Sequence, residues 1–377
     1  MPPVSSISTT DLARLVDDDE HAPFIFDVRA PDAFERWKIE GKASLPTLNI
    51  PYWTAITEDE AIKPQLPADR EVVVVCAHGG SSDLVVETLG LPNLRNLEGG
   101  MDAWATTLVP RTLWDDGTHF VVQFDRIAKA CLSYAVGARG GTMAVIDPAA
   151  DVAAYLKVAE EMTVEITDIF DTHLHADHIS LARRLSEATG ATYHISEGDA
   201  IGASYEYAAL QDGEVFTFGE MDLIVRSVAT PGHTPGSTSL EVAGRFLMTG
   251  DAVFVSGIGR PDLGGQTEPW ARDLFHTIHD KLAGLDHDLE VCPAHYTSRS
   301  ESSQDGTLRR RLGDLLDHDP VVSMTDEEAF VEHVVTHLGE APVIYQDIRR
   351  VNMGWSIVDA EQAKELEVGR NECALGK

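Results

Sequence analysis

Over the first third of the chain, short apolar runs alternate with stretches of helical spacing. Residues 24–28 and the four valines at 72–75 have the length of buried strands, and "SSDLVVETLG" follows the second of them with the periodicity of a helix. Strands alternating with helices predict a small α/β domain with a largely parallel sheet. The pattern changes near residue 110. After "LVPRTLWDDGTHFVVQFD" the runs lengthen and pair as hairpins, in "GTMAVIDP", "TVEITDIF", "EVFTFGEMDLIVRSVAT" and "TSLEVAGRFLMTGD", with helices such as "SLARRLSEATG" between them. This predicts two sheets covered by helices. The end reads as mostly helical in "GTLRRRLGDLL", "TDEEAFVEHVVTHLG" and "APVIYQDIRRVNMG", where Thr325 and Glu328 predict a capping box. Two domains are expected, residues 1–110 and 111–377.

A chain of 377 residues with 43% hydrophobic side chains can fill two cores. Its apolar runs fall short of a transmembrane helix, and "MPPVSSISTTDLARLVDDDE" lacks the basic flank and apolar stretch of an export signal, so a soluble, cytoplasmic protein is expected. The four cysteines, Cys76, Cys131, Cys292 and Cys373, form no close pair. Reduced thiols follow, and with them room for chemistry at a single free cysteine. The formal charge of −33 repels phosphate backbones and anionic lipid surfaces, which argues against nucleic acid and membrane partners. It suits a halophilic protein kept soluble in high salt, where carboxylate repulsion is screened. An anionic substrate would then depend on locally placed arginines.

The strongest chemical signal is "DTHLHADHIS", where His173, His175, Asp177 and His178 leave one strand and lead into a helix. Asp177 and His178 are expected at the helix start, facing the same hollow as the two histidines. Imidazole and carboxylate together suit borderline or moderately hard divalent metals. Later strands end in further polar groups: His233 in "TPGHTPGS", Asp251 in "MTGDAVF" and His295 in "EVCPAHY". Side chains at the ends of successive strands gather at one edge of a sheet.

These ordered motifs resemble the metallo-β-lactamase fold superfamily, an αββα sandwich with one or two metals between its sheets. Within it, "GDAVFVSGIGRPDLGG" and "IYQDIRRVNMG" resemble the persulfide dioxygenase branch, which uses one iron to oxidise the terminal sulfur of a thiol persulfide to sulfite. The resemblance covers about residues 115–355. It implies His173, His233 and Asp251 as ligands of a single Fe(II), with His175, Asp177, His178 and His295 as hydrogen-bonding groups behind them or as a second metal site. It also implies substrate contacts from Arg260 and Tyr296. The branch usually reads Pro-Ala-His-Asp-Tyr, whereas Tyr296 follows His295 directly, which leaves the tyrosine's orientation open. Two imidazoles and one carboxylate leave adjacent coordination positions free for a persulfide sulfur and O2.

In "CAHGGSS", Cys76 sits on a turn between strand and helix, and Gly79 and Gly80 let several N–H groups converge on its sulfur, a nest that stabilises an anion. This resembles the active-site loop of rhodanese sulfurtransferases, and the likeness extends over about residues 8–108. It implies that Cys76 accepts the outer sulfur of a donor and passes it on, with His78, Gly79, Gly80 and Ser81 forming the persulfide loop. Rhodanese loops that handle thiosulfate usually carry arginine or lysine here. This loop offers only His78, with Ser81 and Ser82 beyond, so thiosulfate is a poor donor; Arg29 reads as a structural ion-pair residue.

The two domains are expected to couple sulfane-sulfur transfer to iron-dependent oxidation. The partners are O2, the persulfide of glutathione or another small thiol, and sulfite or another sulfur acceptor; a homodimer is left open. Two alternatives stay in view. One is a zinc hydrolase of thioesters resembling glyoxalase II, with one or two Zn ions. The other makes the N-terminal domain only a docking or sensing module.

Overall fold

The computed structural model describes residues 5–18, 20–218 and 223–375, with only the backbone of 223 and 224. The valine run forms the centre of a five-stranded parallel sheet in the order Ser6–Ile7, Leu94–Leu97, Val72–Val75, Phe24–Asp27, Thr47–Asn49. Its side chains alternate between two cores. Val73 and Val75 pack with Leu12, Met101 and Trp104, while Val72 and Val74 pack with Ala55, Val85 and Leu89 on the opposite face. A strand buried on both sides needs such an unbroken apolar run. Arg29 is paired with Asp27 at 2.6 Å and also donates to the Trp37 carbonyl, a structural tie as expected.

The rest of the chain builds two facing sheets. The first has seven strands in the order Ala208–Ala209, Thr192–Ile195, Glu165–Phe170, Thr142–Ile146, Cys131–Ala138, His119–Arg126, Val109–Asp115. The second has six, Val215–Phe218, Leu223–Ala229, Thr238–Val242, Phe246–Gly250, Glu290–Pro293, Arg310–Arg311. Between them lies a core in which Leu132, Tyr134, Val136 and Ile146 face Leu240, Val242, Phe246 and Met248. Helices Val152–Met162 and Ala182–Thr189 cover the first sheet, and Thr267–His276 and Glu327–His337 the second, which gives the four-layered αββα sandwich. No helix among the described residues is long and apolar enough to cross a membrane.

Three local expectations are corrected. Asp326, not Thr325, caps the helix Glu327–His337, accepting the Ala329 N–H at 2.9 Å, while Glu328 is drawn outward to Arg272 at 2.8 Å. In "GTLRRRLGDLL" only Leu312–His318 is helical, because Arg310 and Arg311 pair with Val291 and Glu290 at the sheet edge. Asp177 and His178 lie in a loop rather than at a helix start, since the helix begins at Ala182. Asn352 holds that loop open, donating to the carbonyls of His175 and His178 and accepting the Ser180 N–H. Backbone groups satisfied by a distant side chain have no need of a helix.

Candidate metal centre and cysteine loop

His173, His233, Asp251 and His295 each follow the end of a strand, Glu165–Phe170, Leu223–Ala229, Phe246–Gly250 and Glu290–Pro293 respectively. Two of the loops are clamped together by buried Asp199, which accepts from the N–H groups of Leu174 and Gly236 and from the Thr234 hydroxyl. Gly250, at φ +53°, lets the strand end approach Thr172, whose Oγ1 would lie 2.5 Å from any Cβ there.

One imidazole nitrogen of His173, one of His233 and one Asp251 oxygen lie within 4.8 Å of one another, and all three side chains are buried. The outer atoms of each are engaged. His173 Nδ1 is 2.9 Å from Thr172 Oγ1, whose proton goes to Asp147. His233 Nδ1 donates to the Arg260 carbonyl at 2.8 Å, and Asp251 Oδ1 accepts from His295 Nδ1 at 2.6 Å. The inner atoms, His173 Nε2, His233 Nε2 and Asp251 Oδ2, are buried without a hydrogen-bond partner. Orphaned groups of this kind are costly. Two neutral imidazoles and a carboxylate aimed at one point are the donor set of a divalent cation, so the residues fit a metal. Burial holds both histidines below the usual imidazole range, in the neutral state a ligand requires.

The remaining expected residues divide. His175 turns to Asp147, with Nε2 3.1 Å from Oδ1; burial opposes its charge, but Asp147 and Asp171 prevail and raise it to about 9. His295 is bracketed by Asp251 and by Asp177, whose Oδ2 is 2.9 Å from Nε2 without the angle of a hydrogen bond. Against the cost of burial, these two carboxylates push it well above the usual histidine value. Asp177, His178, His295 and Cys131 form a second donor cluster, in which His178 Nε2 also lacks a partner. Sequence reasoning missed Cys131 and Cys373; the latter, near the chain end, lies within 4.8 Å of ligand atoms of both Asp251 and His295.

Arg260 and Tyr296 line one cavity of about 390 Å³. The Arg260 guanidinium is already held by Asp262 at 2.7 and 2.8 Å and by the carbonyls of Gly339 and Glu372. The Tyr296 hydroxyl donates to buried Asp125 at 3.1 Å.

At the N-terminal loop, Cys76 is buried and its sulfur receives the Gly79 N–H and faces the Ser82 hydroxyl, each at 3.0 Å. One N–H converges here rather than several, because the chain passes straight into the helix Gly80–Leu89, which includes Ser81. Gly79, at φ +88°, makes the turn. His78 is exposed and bonded to Asp102 at 3.1 Å, and Asp102 also meets Lys364 at 2.8 Å. The helix Gly100–Thr106 fixes the loop from beneath through Met101 N–H to Cys76 O and Asp102 N–H to Ala77 O.

A four-layered sandwich whose strand ends gather histidines and aspartates, preceded by a parallel sheet with a cysteine turn, defines the class. The metallo-beta-lactamase superfamily description matches residues 126–295 and the rhodanese-like domain description residues 8–107. The chain belongs to the metallo-beta-lactamase superfamily, with a rhodanese-like domain fused ahead of it. It resembles the persulfide dioxygenase branch. The mitochondrial persulfide dioxygenase ETHE1 is 32% identical over 192 residues in Bos taurus, covering 49% of this chain and 72% of that protein. The chain spans 63% of the human counterpart, also 32% identical over 167 residues. Hydroxyacylglutathione hydrolase of Anaeromyxobacter dehalogenans is 38% identical over 158 residues, 42% of this chain and 58% of the relative. Among solved structures, ETHE1 from Myxococcus xanthus superposes with a TM-score of 0.53 at 27% identity, over 66% of this chain and 99% of that one.

Proposed function

We propose that this protein oxidises a low-molecular-weight thiol persulfide to sulfite and thiol with O2 at a single Fe(II), and that Cys76 carries sulfane sulfur. The carrying observation is the set of inner atoms of His173, His233 and Asp251, buried, without a hydrogen-bond partner and within 4.8 Å of one another. The reaction balances as R–S–SH + O2 + H2O → R–SH + sulfite + 2H⁺. Iron, when bound, would supply the redox chemistry and bring sulfur and O2 together. The chain's own residues do the positioning. Thr172 and the Arg260 carbonyl keep protons on the outer nitrogens of His173 and His233, so that the inner ones offer lone pairs. His295 holds Asp251 Oδ1 and thereby turns Oδ2 inward. At the other domain, the Gly79 N–H would stabilise the sulfur of Cys76 while it holds a sulfane atom. A relative named for a glutathione conjugate supports a small thiol as carrier.

The second donor cluster, with its unpartnered His178 Nε2, favours a competing reading as a two-zinc hydrolase. Anaerobic purification with metal analysis, followed by O2 uptake on adding thiol persulfide, separates the two. One iron per chain and persulfide-dependent uptake are expected; two zincs and no uptake would install the hydrolase. His233→Ala and Asp251→Ala should each lose iron and uptake together. Cys76→Ser should spare uptake and abolish thiocyanate formation from cyanide.

A further inference from the structure

A second opening lies where the two domains meet. The segment Lys38–Leu45 of the N-terminal domain faces Thr297, Ser298, Arg299 and Arg370 of the metal-binding domain across a cleft of about 550 Å³. Among the 14 described residues that line it, four are cationic, Lys38, Lys42, Arg299 and Arg370, and one, Glu40, is a carboxylate. In a chain with 62 acidic and 29 basic side chains, that lining reverses the overall balance. Two of the four charges are already met. Arg299 and Arg111 together face Asp17 and Asp125, and Arg370 is tied to Glu40 at 2.5 Å. Lys38 and Lys42 form no ion pair among the described residues, and the Lys38 ammonium lies 5.2 Å from the centre of the Phe34 ring. Their segment is fixed to the domain behind it. The Lys42 N–H donates to the Val16 carbonyl at 3.0 Å, and Gly41 passes so close that a Cβ there would fall 2.5 Å from that same oxygen. Glu40, Thr297 and Arg370 also line the cavity of about 390 Å³ that holds Arg260 and Tyr296, so the Arg370–Glu40 pair forms the wall that the two openings share.

We propose that this cleft binds the carboxylates of a small dicarboxylate thiol, the carrier of the persulfide sulfur, with Lys38 and Lys42 as their counter-charges. Two unmatched ammonium groups suit an occupant with two carboxylates, and in a protein of net charge −33 such an anion is repelled everywhere that local cations do not hold it. Binding of a dicarboxylate requires only the cleft. Its identity as the sulfur carrier rests on the persulfide reading, through the wall shared with the Arg260 and Tyr296 cavity. The N-terminal domain then serves the other domain by holding its substrate, independently of any chemistry at Cys76.

Isothermal titration calorimetry of the full-length protein with S-methylglutathione, a dicarboxylate whose blocked sulfur forms no thiolate, tests this without turnover. The wild type should bind one equivalent, more weakly as salt rises. Lys38→Gln and Lys42→Gln should each weaken binding about three- to tenfold, and the double variant about tenfold or more with a flatter salt dependence. Lys63→Gln is the control, since that lysine is already paired with Asp59 and Glu60, and it should bind as the wild type does. The diethyl ester of the probe should bind about tenfold or more weakly than the free acid. No binding by the wild type, or a double variant that binds as tightly, overturns the proposal. Inorganic thiosulfate bound as tightly as the probe, with the same dependence on both lysines, would make this a site for sulfur oxyanions and refute the dicarboxylate. In O2 uptake with glutathione persulfide, the double variant should show a raised KM and an unchanged kcat; an unchanged KM refutes the role as carrier site. Lysine-dependent binding in a protein that takes up no O2 with persulfide would instead bring down the dioxygenase reading and leave the dicarboxylate site standing.

Discussion

Replacing Asp17 by alanine should loosen the junction between the two domains, because its carboxylate is the N-terminal domain's contribution to a buried charge network. Arg299 donates to Asp17 through Nε at 2.9 Å and Nη2 at 2.6 Å, and Arg111 reaches the same carboxylate at 2.5 Å. Arg299 in turn lies 2.7 Å from Asp125, which accepts the Tyr296 hydroxyl. The side chains of Arg299, Asp125 and Asp17 are only 3%, 0% and 14% exposed, so water cannot easily replace a lost partner. Removing one member of a buried pair costs about 3–5 kcal/mol. Arg299 keeps Asp125, and Asp17 is not wholly dry, so the lower end, about 3 kcal/mol, applies. At about 2–4 °C per kcal/mol for a unit of this size, the apparent melting midpoint should fall by about 6–12 °C. Differential scanning calorimetry of Asp17→Ala, Arg299→Leu and the double variant would measure both the loss and the coupling between the pair. The exposed pair Asp11–Arg14 provides the control, since Asp11→Ala should cost no more than about 1 kcal/mol. A shift for Asp17→Ala no larger than the control's, or strict additivity in the double variant, would refute the idea that this network joins the domains.

Two further outcomes are expected. Gly100 has φ +58°, and a Cβ there would fall 2.4 Å from the Cys76 carbonyl, so Gly100→Ala adds about 1–2 kcal/mol of backbone strain and displaces the cysteine turn. Thiocyanate formation should drop well beyond what the melting curve explains, whereas Gly80→Ala, with nothing within 4 Å, should be tolerated. Burial alone would raise the Glu367 carboxyl, but Arg126 more than offsets it and holds the group below its ordinary value of 4.5. A depressed carboxyl stabilises above its unfolded value and loses that contribution as pH falls through the folded one. Hydrogen exchange across residues 367–375 should therefore stay slow down to about pH 4.5 and quicken below it, and Glu367→Gln should remove the pH dependence.

Much of this architecture was legible in the chain, for reasons that differ from one part to another. The valine run and the antiparallel strands Leu223–Ala229, Thr238–Val242 and Phe246–Gly250 announce themselves because a strand's burial is written in its own residues, whereas Thr142–Ile146 and Glu165–Phe170, read as hairpin strands, are parallel neighbours joined through the helix Val152–Met162. The motifs around His173, His233 and Asp251 were visible because histidines and carboxylates stand out at strand ends, where apolar runs stop. What escaped was long-range. Asn352 shapes a loop some 170 residues earlier, Asp199 ties two others, and no local pattern marks either residue. Cys373 sits in "NECALGK", a stretch without periodicity, and its place is set by hydrogen bonds to Lys129, Ala130, Ile258 and Arg260. The orientation left open for Tyr296 is resolved by Asp125, a residue in the distant strand His119–Arg126.

Residues 367–375 have no layer of their own and are held in place by Arg126, Ile179, Lys129, Ala130, Ile258 and Arg260. A protease cut on their N-terminal side would therefore free them from the strand-end loops while leaving both sheets untouched. Preparations with identical spectra of secondary structure would then differ in chemistry, according to whether this segment had stayed in place.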